Sequence, residues 1–202
     1  MDLFSSQESN EPQKLNITDG DIDYFPNLFT ASESDNFFEK LKTDINWVQE
    51  EISFYGKTHN LPRLTAWYGD SDKQYTYSGI TVNALPWSSL LLDIKEKIES
   101  VSNISFNSVL LNFYRDGNDG VSWHSDDEKE LGENPIIGSV SFGEIRPFQL
   151  KHKFLDEKIK IELNHGSFLL MKGETQHNWV HQIPKTKKQI KERINLTFRI
   201  IK

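Results

Sequence analysis

The sequence predicts a mainly β fold with a helical component (α+β), a jelly roll braced by two helices and preceded by a β-hairpin lid. Three observations support this prediction. Short strand-like runs punctuated by Gly and Pro follow one another at even spacing over about 105–202, and the last of them alternates strictly. Two stretches upstream repeat apolar residues at helical spacing. An even series of short strands is typical of a sandwich or jelly roll, and the helices are expected to cover one outer face of a sheet.

The composition is that of one folded domain. The chain has 202 residues, 36% of them apolar, which suits one core and is too short for two ordinary domains. It has no cysteine, and its apolar runs are shorter than the roughly 20 residues that span a bilayer. We therefore expect a single domain over 21–202, no membrane partner and no disulfide. Because residues 1–6 lack the features of a signal peptide, we expect the cytoplasm if the source is bacterial, which is favoured, or the nucleus if it is eukaryotic.

The first 50 residues contain a tail, a short strand and the first helix. Residues 1–20 are polar and acidic and are expected to form a flexible tail. Residues 21–26 are expected to form a strand that enters a turn. Ser32 and Asp35 form a candidate capping box. We predict a helix over 33–44 because the following apolar residues have helical spacing: Phe37, Phe38, Leu41 and Ile45.

Residues 47–85 form a predicted lid of short strands and turns that is rich in aromatic residues. A β-rich layer that buries these rings is one interpretation, and a surface that recognises a ligand is the other. Phe54-Tyr55-Gly56-Lys57 is a candidate hairpin tip, because glycine readily adopts the positive φ that a tight turn needs.

The second helix and the core strands follow the lid. Pro86-Trp87 is expected to open the helix, whose apolar face comprises Leu90, Leu91, Ile94, Ile98 and Val101. The predicted core strands span residues 107–114, 136–142, 147–152, 159–163, 167–171, 178–182 and 193–201.

A histidine and a carboxylate lie one residue apart in His124-Ser125-Asp126. In an extended backbone, residues i and i+2 project from the same face, so His124 and Asp126 can bind one ion together. A third ligand downstream would complete a two-histidine, one-carboxylate facial triad, which is typical of non-haem iron(II) oxygenases. A surface histidine beside a solvated acidic run is the alternative interpretation of this short motif.

Four histidines are candidates for the third ligand. His152 lies among lysines in a predicted edge strand, and His165 precedes a glycine in a turn. His177 and His181 lie four residues apart, so in a strand they would share a face and either could point inward. The residues alone leave this choice open.

The last strand has apolar residues on one face and polar residues on the other. The polar face comprises Arg193, Asn195, Thr197 and Arg199. A sandwich edge with a solvated face is one interpretation. The other is a pocket for a short dicarboxylate such as 2-oxoglutarate, since a guanidinium pairs with a carboxylate through two hydrogen bonds. Asn112 and Tyr114 share a face of an earlier strand and would supply further hydrogen bonds.

Nine short motifs follow one another over about residues 50–202. They are Pro62-Arg63, Tyr68-Gly69-Asp70, Tyr75-Thr76-Tyr77-Ser78-Gly79, Asn112-Phe113-Tyr114-Arg115-Asp116-Gly117, His124-Ser125-Asp126-Asp127-Glu128, Ser139-Val140-Ser141-Phe142-Gly143, His165-Gly166-Ser167, Trp179-Val180-His181 and the segment 193–199. In residues and order they resemble the AlkB family of iron(II)- and 2-oxoglutarate-dependent nucleic-acid demethylases. Within it, the chain is similar to the branch that acts on double-stranded DNA.

The resemblance implies a double-stranded β-helix, the jelly roll of this family, with iron(II), 2-oxoglutarate and dioxygen. It selects His181 as the third iron ligand, with His177 as the second choice. It places 2-oxoglutarate among the six polar residues of the two strands, with Arg193 at the distal carboxylate and Arg199 supporting the metal-bound end. The implied reaction hydroxylates an N-methyl group on an extruded base, of the 1-methyladenine or 3-methylcytosine type, and releases formaldehyde, succinate and carbon dioxide. The iron centre is the only catalytic group expected, without a separate protein nucleophile or base.

The resemblance also implies that the hairpin tip is a wedge. An apolar residue there fills the gap that the extruded base leaves in a duplex. Tyr55 is the first candidate for this residue and Phe54 the second, because the sequence does not fix the register of the hairpin. Gly56 would shape the turn.

The other implied substrate contacts lie in the lid and beside the metal motif. Tyr75 and Tyr77, with Ser78 next to them, match positions that stack on the extruded base or contact its edge. Glu128 matches an acidic position that accepts a hydrogen bond from the exocyclic amino group of adenine or cytosine. Arg63 belongs to the same substrate-binding set.

The charge distribution is compatible with a nucleic-acid partner. The net charge is −7, but residues 1–50 account for −8 and residues 51–202 for +1. Backbone phosphates could contact Lys151, Lys153, Lys185, Lys187, Lys188 and Lys191. We expect a monomer that binds alkylated DNA, with the duplex favoured and single strands or RNA as alternatives.

Two other classes of function compete with this one. An oxygenase of the same fold could act on a protein side chain or a lipid, against which the lid aromatics and Arg63 argue. A non-catalytic jelly-roll binding module would lack a metal ligand or a pocket arginine, and the sequence has both.

Overall fold

The computed structural model describes residues 11–54, 57–70, 74–77 and 80–202, without the side chains of 53–54, 74–77 and 80–83. The strands are β1 Gln13–Leu15, β2 Asp21–Phe25, β3 Glu51–Phe54, β4 Lys57–Asn60, β5 Leu64–Gly69, β6 Gln74–Tyr77, β7 Ile80–Asn83, β8 Ser108–Tyr114, β9 Val121–His124, β10 Ile137–Gly143, β11 Arg146–His152, β12 Lys158–Leu163, β13 Ser167–Lys172, β14 Trp179–Ile183 and β15 Arg193–Arg199. The helices are α1 Ala31–Asp44, α2 Ser89–Ser102 and the short α3 Thr175–Asn178.

Two antiparallel sheets enclose the core. The larger has the order β1-β2-β13-β10-β15-β8-β5, and the smaller has the order β12-β11-β14-β9. The apolar side chains buried between them include Leu110, Ile137, Phe148, Leu150, Leu163 and Trp179. This arrangement confirms the predicted mainly β jelly roll.

Helices α1 and α2 cover the outer face of the larger sheet. Their apolar residues, among them Leu41, Leu91 and Ile94, share one buried cluster with apolar residues of β8, β10 and β15. The larger sheet is therefore buried on both faces, and the two bracing helices are confirmed. Because β15 lies between β10 and β8 with all seven residues buried, the alternative of a solvated edge strand is wrong.

Helix α1 begins earlier than predicted. Thr30 is its N-cap: the Thr30 hydroxyl accepts from the Glu33 amide at 3.3 Å, and the Thr30 amide donates to the Glu33 carboxylate at 2.8 Å. The predicted capping box of Ser32 and Asp35 is wrong because Thr30 and Glu33 have the same spacing two residues upstream. Helix α2, by contrast, begins later than predicted: it starts at Ser89, capped by the Ser88 hydroxyl, rather than at Pro86-Trp87.

Two predictions about strands at the rim of the sheets are wrong. The flexible tail was expected to reach residue 20, but Gln13–Leu15 pairs with β2, and the Thr18 carbonyl accepts from the Trp179 indole at 2.9 Å. His152 was expected in an edge strand, but β11 lies between β12 and β14 and His152 is buried. Residues 1–10 lie outside the described part of the chain.

Residues 47–85 contain the predicted short strands, but β5 belongs to the larger sheet rather than to a separate lid. Strands β3 and β4 form an antiparallel pair in which Phe54 lies opposite Lys57, and β6 pairs with β7. Tyr55, Gly56 and Ser78 lie outside the described residues. In the part of the chain described here, no helix has the length and apolar character needed to cross a membrane.

Candidate metal centre

The structure brings together the two histidines and the aspartate that were expected to bind iron. His124 ends β9 and lies opposite His181 of β14, with their ring centroids 4.3 Å apart. Asp126 follows two residues later, and one ligand atom from each of the three residues lies within 4.8 Å of the others. The arrangement results from strand pairing, which aligns residues that are 57 positions apart in the chain.

A β-bulge in β9 fixes the direction of His124. Val121 pairs with Ile183 and His124 with His181, so β9 has one residue more than β14 over this interval. The extra residue lets both Val121 and His124 line the buried pocket, whereas Trp123 is exposed. Bulges that redirect a side chain are common beside active sites.

The backbone fixes the tautomer of His124. The ring nitrogen Nδ1 lies 2.8 Å from the Ser122 carbonyl oxygen, which only accepts, so Nδ1 holds the proton and donates it. Nε2 is then the nitrogen that faces Asp126, 3.8 Å from its Oδ1. A carbonyl that orients a histidine in this way is typical of metal ligands.

Asp126 is a buried carboxylate held from two sides. Its backbone amide donates to Gln176 Oε1 at 2.9 Å, and Arg199 Nη2 donates to its Oδ1 at 3.1 Å. Burial alone would raise the pKa of Asp126, but the charge and the hydrogen bond of Arg199 lower this pKa to about 2. The group is therefore ionised at neutral pH.

His181 is buried and neutral. Burial, with the neighbouring His124, lowers the pKa of His181 to about 3. Two imidazoles and one carboxylate in a partly open arrangement fit iron(II) by donor type and geometry.

The other candidate histidines have different roles. His177 lies in α3 and is exposed, because the segment before β14 is helical, so the second choice for the third ligand is wrong. His152 Nδ1 accepts from two backbone amides of the turn that follows it. His165 Nδ1 accepts from the Gly143 amide at 2.8 Å.

One buried pocket adjoins the three ligands, and the six residues predicted to bind 2-oxoglutarate line it. They are Asn112, Tyr114, Arg193, Asn195, Thr197 and Arg199. Strand pairing explains their meeting, since Arg193 pairs with Tyr114 and Asn195 with Asn112 across the β15–β8 ladder. Arg199 lies at the metal end of the pocket, where it binds Asp126.

Arg193 is a buried cation suited to an anionic ligand. Its side chain is 1% exposed, Nη2 donates to Ser141 Oγ at 2.9 Å, and the guanidinium lies 5.2 Å from the Tyr114 ring centroid. Burial lowers the pKa of Arg193 to about 10, which leaves it protonated at neutral pH. Its Nε and Nη1 have no hydrogen-bond partner among the described residues. A carboxylate in this pocket would supply the missing acceptors.

The amides of the pocket also have partners within the protein. Asn195 Nδ2 donates to Ser139 Oγ at 2.8 Å and to the Val140 carbonyl at 2.9 Å, and Thr197 donates to Asn195 Oδ1. Asn195 therefore shapes the pocket wall through these bonds. Whether it also contacts 2-oxoglutarate stays a prediction.

Arg63 lies between this pocket and a second, more open cleft. Its Nε donates to Asn112 Oδ1 at 2.7 Å, and its side chain is buried. The outer cleft opens onto the metal ligands and is lined in part by Ile52, Leu61, Pro62, Arg63, Trp123 and Glu128. This position suits the predicted substrate roles of Arg63 and Glu128. Tyr75 and Tyr77 lie in β6, of which only the backbone is described, so their contacts stay predictions.

Arg146 is a supporting residue that the sequence analysis missed. Its Nη2 donates to the carbonyls of Asp119 at 3.1 Å and Pro184 at 2.7 Å, and its guanidinium lies 5.8 Å from the Tyr114 ring centroid. It thereby joins two loops behind the cosubstrate pocket. Arg146 shares one face of its strand with the apolar Phe148 and Leu150, and this spacing was a signal that it points inward.

Replacing Arg146 with methionine is expected to lower the melting temperature by about 5–15 °C. The change leaves buried carbonyls without a donor, a loss of about 2–4 kcal/mol, and each kcal/mol lowers the melting temperature of a domain this size by about 2–4 °C. Thermal unfolding followed by circular dichroism measures the shift. Lys151→Met, at an exposed position of the same strand, is the control and should melt like the wild type. Equal melting of all three proteins would contradict the supporting role.

The comparisons with known proteins agree with this geometry. A sequence model of the 2OG-Fe(II) oxygenase superfamily matches residues 21–199. Alpha-ketoglutarate-dependent dioxygenase alkB homolog 3 of Bos taurus is 44% identical over 186 residues, which cover 87% of this chain and 64% of the relative. DNA oxidative demethylase ALKBH2 of Homo sapiens is 38% identical over 185 residues, which cover 86% of this chain and 71% of the relative. The chain thus spans less than two thirds of the bovine alkB homolog 3.

A solved structure shows the same fold. The structure of OsALKBH1 superposes with a TM-score of 0.66 over 93% of this chain and 100% of that chain, at 15% sequence identity. The superfamily match covers most of the chain, and the human ALKBH2 match exceeds two thirds of that relative. The chain therefore belongs to the 2OG-Fe(II) oxygenase superfamily and, within it, to the AlkB family.

Proposed function

We propose that this protein is an oxidative demethylase of N-alkylated bases in DNA. The observation that supports this most directly is the position of the three ligands, His124, Asp126 and His181, between a buried pocket with a protonated arginine and an open cleft. The buried side suits 2-oxoglutarate, and the open side suits a substrate that must reach the metal from solvent.

The names of the relatives support the choice of substrate. ALKBH2 from several organisms is a DNA oxidative demethylase by name, and the human protein is 38% identical to this chain. A nucleobase with an N-methyl group is a flat, polar-edged substrate. The outer cleft offers it the apolar Leu61 and Pro62 together with Arg63 and Glu128.

The chain's own residues hold and orient the reactants. His124, Asp126 and His181 would bind iron(II), and Arg193 would bind the distal carboxylate of 2-oxoglutarate. When bound, iron(II) and 2-oxoglutarate activate dioxygen for the hydroxylation of a methyl group. Arg199 keeps Asp126 ionised and oriented, and the Ser122 carbonyl keeps His124 in the tautomer that can bind metal.

The atoms of the proposed reaction balance. One oxygen atom of dioxygen enters the succinate formed from 2-oxoglutarate, with loss of carbon dioxide, and the other enters the methyl group. The resulting N-hydroxymethyl group breaks its C–N bond to give formaldehyde and the unmodified base.

Formaldehyde release tests this function. Oligonucleotides with one 1-methyladenine or 3-methylcytosine, single- and double-stranded, would be incubated with the protein, iron(II), 2-oxoglutarate and ascorbate. We expect formaldehyde in a one-to-one ratio to repaired base, and none from the unmethylated oligonucleotide. Succinate formation without formaldehyde from any of these substrates would contradict the proposal and favour a different substrate for the same centre.

We further propose that duplex DNA is the preferred substrate. The pairing of β3 with β4 supports this, because Phe54 lies opposite Lys57 on either side of the segment in which the sequence predicts the hairpin tip. Extruding a base from a duplex leaves a gap and costs a few kcal/mol, which a ring inserted from such a tip can offset.

Replacing Tyr55 with alanine tests the duplex preference. We expect repair of a methylated duplex to slow by about tenfold or more, while single-strand turnover stays within about twofold, because a single strand largely avoids the unstacking penalty. Initial rates on the two substrates are the measurement, and Phe54→Ala is the matched variant for the other register of the hairpin. Equal slowing on both substrates would indicate that Tyr55 has a structural role in core packing and does not act as a wedge. If both variants kept the wild-type duplex rate, the proposed wedge would be wrong.

A further inference from the structure

Trp123 is an exposed indole that lines the outer cleft. Its side chain is 42% exposed, whereas Trp67 and Trp179 are buried in the core. It lies directly before His124 in the chain, lines the same cleft as the metal ligands, and has no role in the binding of metal or 2-oxoglutarate described above.

The backbone around Trp123 is held in place. The Ser122 carbonyl binds the His124 ring, and His124 pairs with His181, so the residues on both sides of Trp123 are fixed relative to the metal ligands. The bulge in β9 turns Trp123 away from the interior, and β9 is the edge strand of its sheet. The indole is thus anchored near the metal site but lies outside it.

The chemistry of the cleft suits a flat aromatic ligand. Besides Trp123, the cleft has the apolar side chains Ile52, Leu61 and Pro62, with Arg63 and Glu128 as polar groups. A base stacked on an aromatic side chain gains about 1–3 kcal/mol, whatever its identity, because every base has a π-face.

Trp123 is better placed for a flanking base than for the base that reacts. The methyl group of the reacting base must reach the ligands His124 and Asp126 at the floor of the cleft. The neighbouring Trp123 lines the same cleft but is 42% exposed, so its indole can contact a nucleotide that has not entered. In a duplex, such a nucleotide is covered on one face by its remaining stacked neighbour and on the other by the proposed wedge, whereas in a single strand its faces are accessible.

We propose that Trp123 stacks on the nucleotide next to the extruded base and gives this protein a contact specific to single-stranded nucleic acid. The inference rests on the proposed function and extends it, because it assigns a residue to the nucleotide next to the base that reacts. The hairpin tip and Trp123 then act on different substrates, one on duplexes and the other on single strands.

Binding of a fluorescein-labelled, single-stranded heptanucleotide with a central 1-methyladenine tests the proposal without turnover. Fluorescence anisotropy would be measured with 2-oxoglutarate and Mn²⁺ in place of iron(II). Trp123→Ala is expected to raise Kd by roughly 5- to 150-fold, the range that the loss of one stacked base predicts. Trp123→Phe, which keeps a ring, should retain most of the affinity. On the corresponding duplex, Trp123→Ala should stay within about twofold of the wild type, since the wedge and the remaining stacked neighbour cover that nucleotide.

A cycle of protein and substrate changes identifies the partner of the indole. An abasic nucleotide would replace the neighbour of 1-methyladenine on the 5′ or the 3′ side. On one side it should weaken wild-type binding about as much as Trp123→Ala does, and it should cause little further loss in that variant. Independent, additive losses on both sides, or unchanged binding by Trp123→Ala, would overturn the proposal.

These outcomes are separate from the test of the demethylase function. If no methylated oligonucleotide yields formaldehyde but the cycle shows coupling, the reaction is wrong and the stacking contact stands. If formaldehyde is released and the cycle shows no coupling, the contact alone is wrong. Unchanged melting temperatures of Trp123→Ala and Trp123→Phe would show that lost affinity does not reflect unfolding, and failure of the wild type to bind the single strand would also overturn the proposal.

Discussion

His181→Ala is expected to abolish formaldehyde release and to weaken divalent-metal binding by more than about 100-fold. Changes in groups that merely orient a metal ligand already cost about 10- to 100-fold, so loss of a ligand should cost more. Among the described residues, His124, Asp126 and His181 are the group of three that could hold an ion, and no other such group adjoins the pocket. Titration with Mn²⁺ without substrate, together with a formaldehyde assay, measures both effects.

His177→Ala is the matched control for this prediction. His177 lies four residues earlier in the chain but is exposed on α3, so its loss should leave activity and metal affinity within about twofold of the wild type, as for most surface changes. Because His181 is buried, His181→Asn would serve as a second variant with less cavity formation. An inactive His177→Ala with an active His181→Ala or His181→Asn would show that the ligand assignment is wrong.

The core and the polar strand of the pocket could be predicted because their periodicity is unambiguous. In β15 the alternation of Arg193, Asn195 and Thr197 with apolar residues fixes which side chains share a face, whatever the strand packs against. The alternation could not show whether that face was solvated. Burial of β15 between β10 and β8 decided this point, and it depends on strand order, which local sequence does not encode.

The metal ligands, too, could be predicted only in part from the local sequence. The spacing of His124 and Asp126 indicated a shared face, but the residues alone did not separate His181 from His177. A strand over 178–182 was predicted correctly to within a residue, yet the helical turn just before it places His177 on the surface. The resemblance to the AlkB family selected His181, and the structure places it against His124.

Several supporting residues have no local sequence signal. Gln176 binds the Asp126 amide from α3, and Arg146 joins two loops behind Tyr114. Each contact joins segments about 30 or more residues apart in the chain, so it depends on the assembled fold. The capping of α1 was predictable in kind but assigned to the wrong pair, because Thr30 and Glu33 repeat the spacing of Ser32 and Asp35.

Arg193→Ala is expected to raise the 2-oxoglutarate concentration needed for half-maximal activity by roughly 30-fold to several thousand-fold. Arg193 is the buried cation expected to pair with the distal carboxylate, and a buried charge without its partner costs on the order of 2–5 kcal/mol. In the wild type, two of its donor nitrogens have no hydrogen-bond partner among the described residues, so the carboxylate of 2-oxoglutarate is expected to accept their hydrogen bonds. The 2-oxoglutarate titration at saturating methylated oligonucleotide is the measurement.

Two variants make the Arg193 result specific. Lys191→Ala removes an exposed cation two residues earlier and should leave the titration unchanged, which excludes a general effect of net charge. Arg193→Lys keeps the charge but loses the two-pronged geometry, so its requirement should lie between those of the wild type and Arg193→Ala. Because Arg193 also binds Ser141 and lies against Tyr114, melting curves would show whether the alanine variant is folded. A folded Arg193→Ala protein with the wild-type titration would mean that the distal carboxylate binds elsewhere in the pocket, with Arg199 as the remaining arginine of β15.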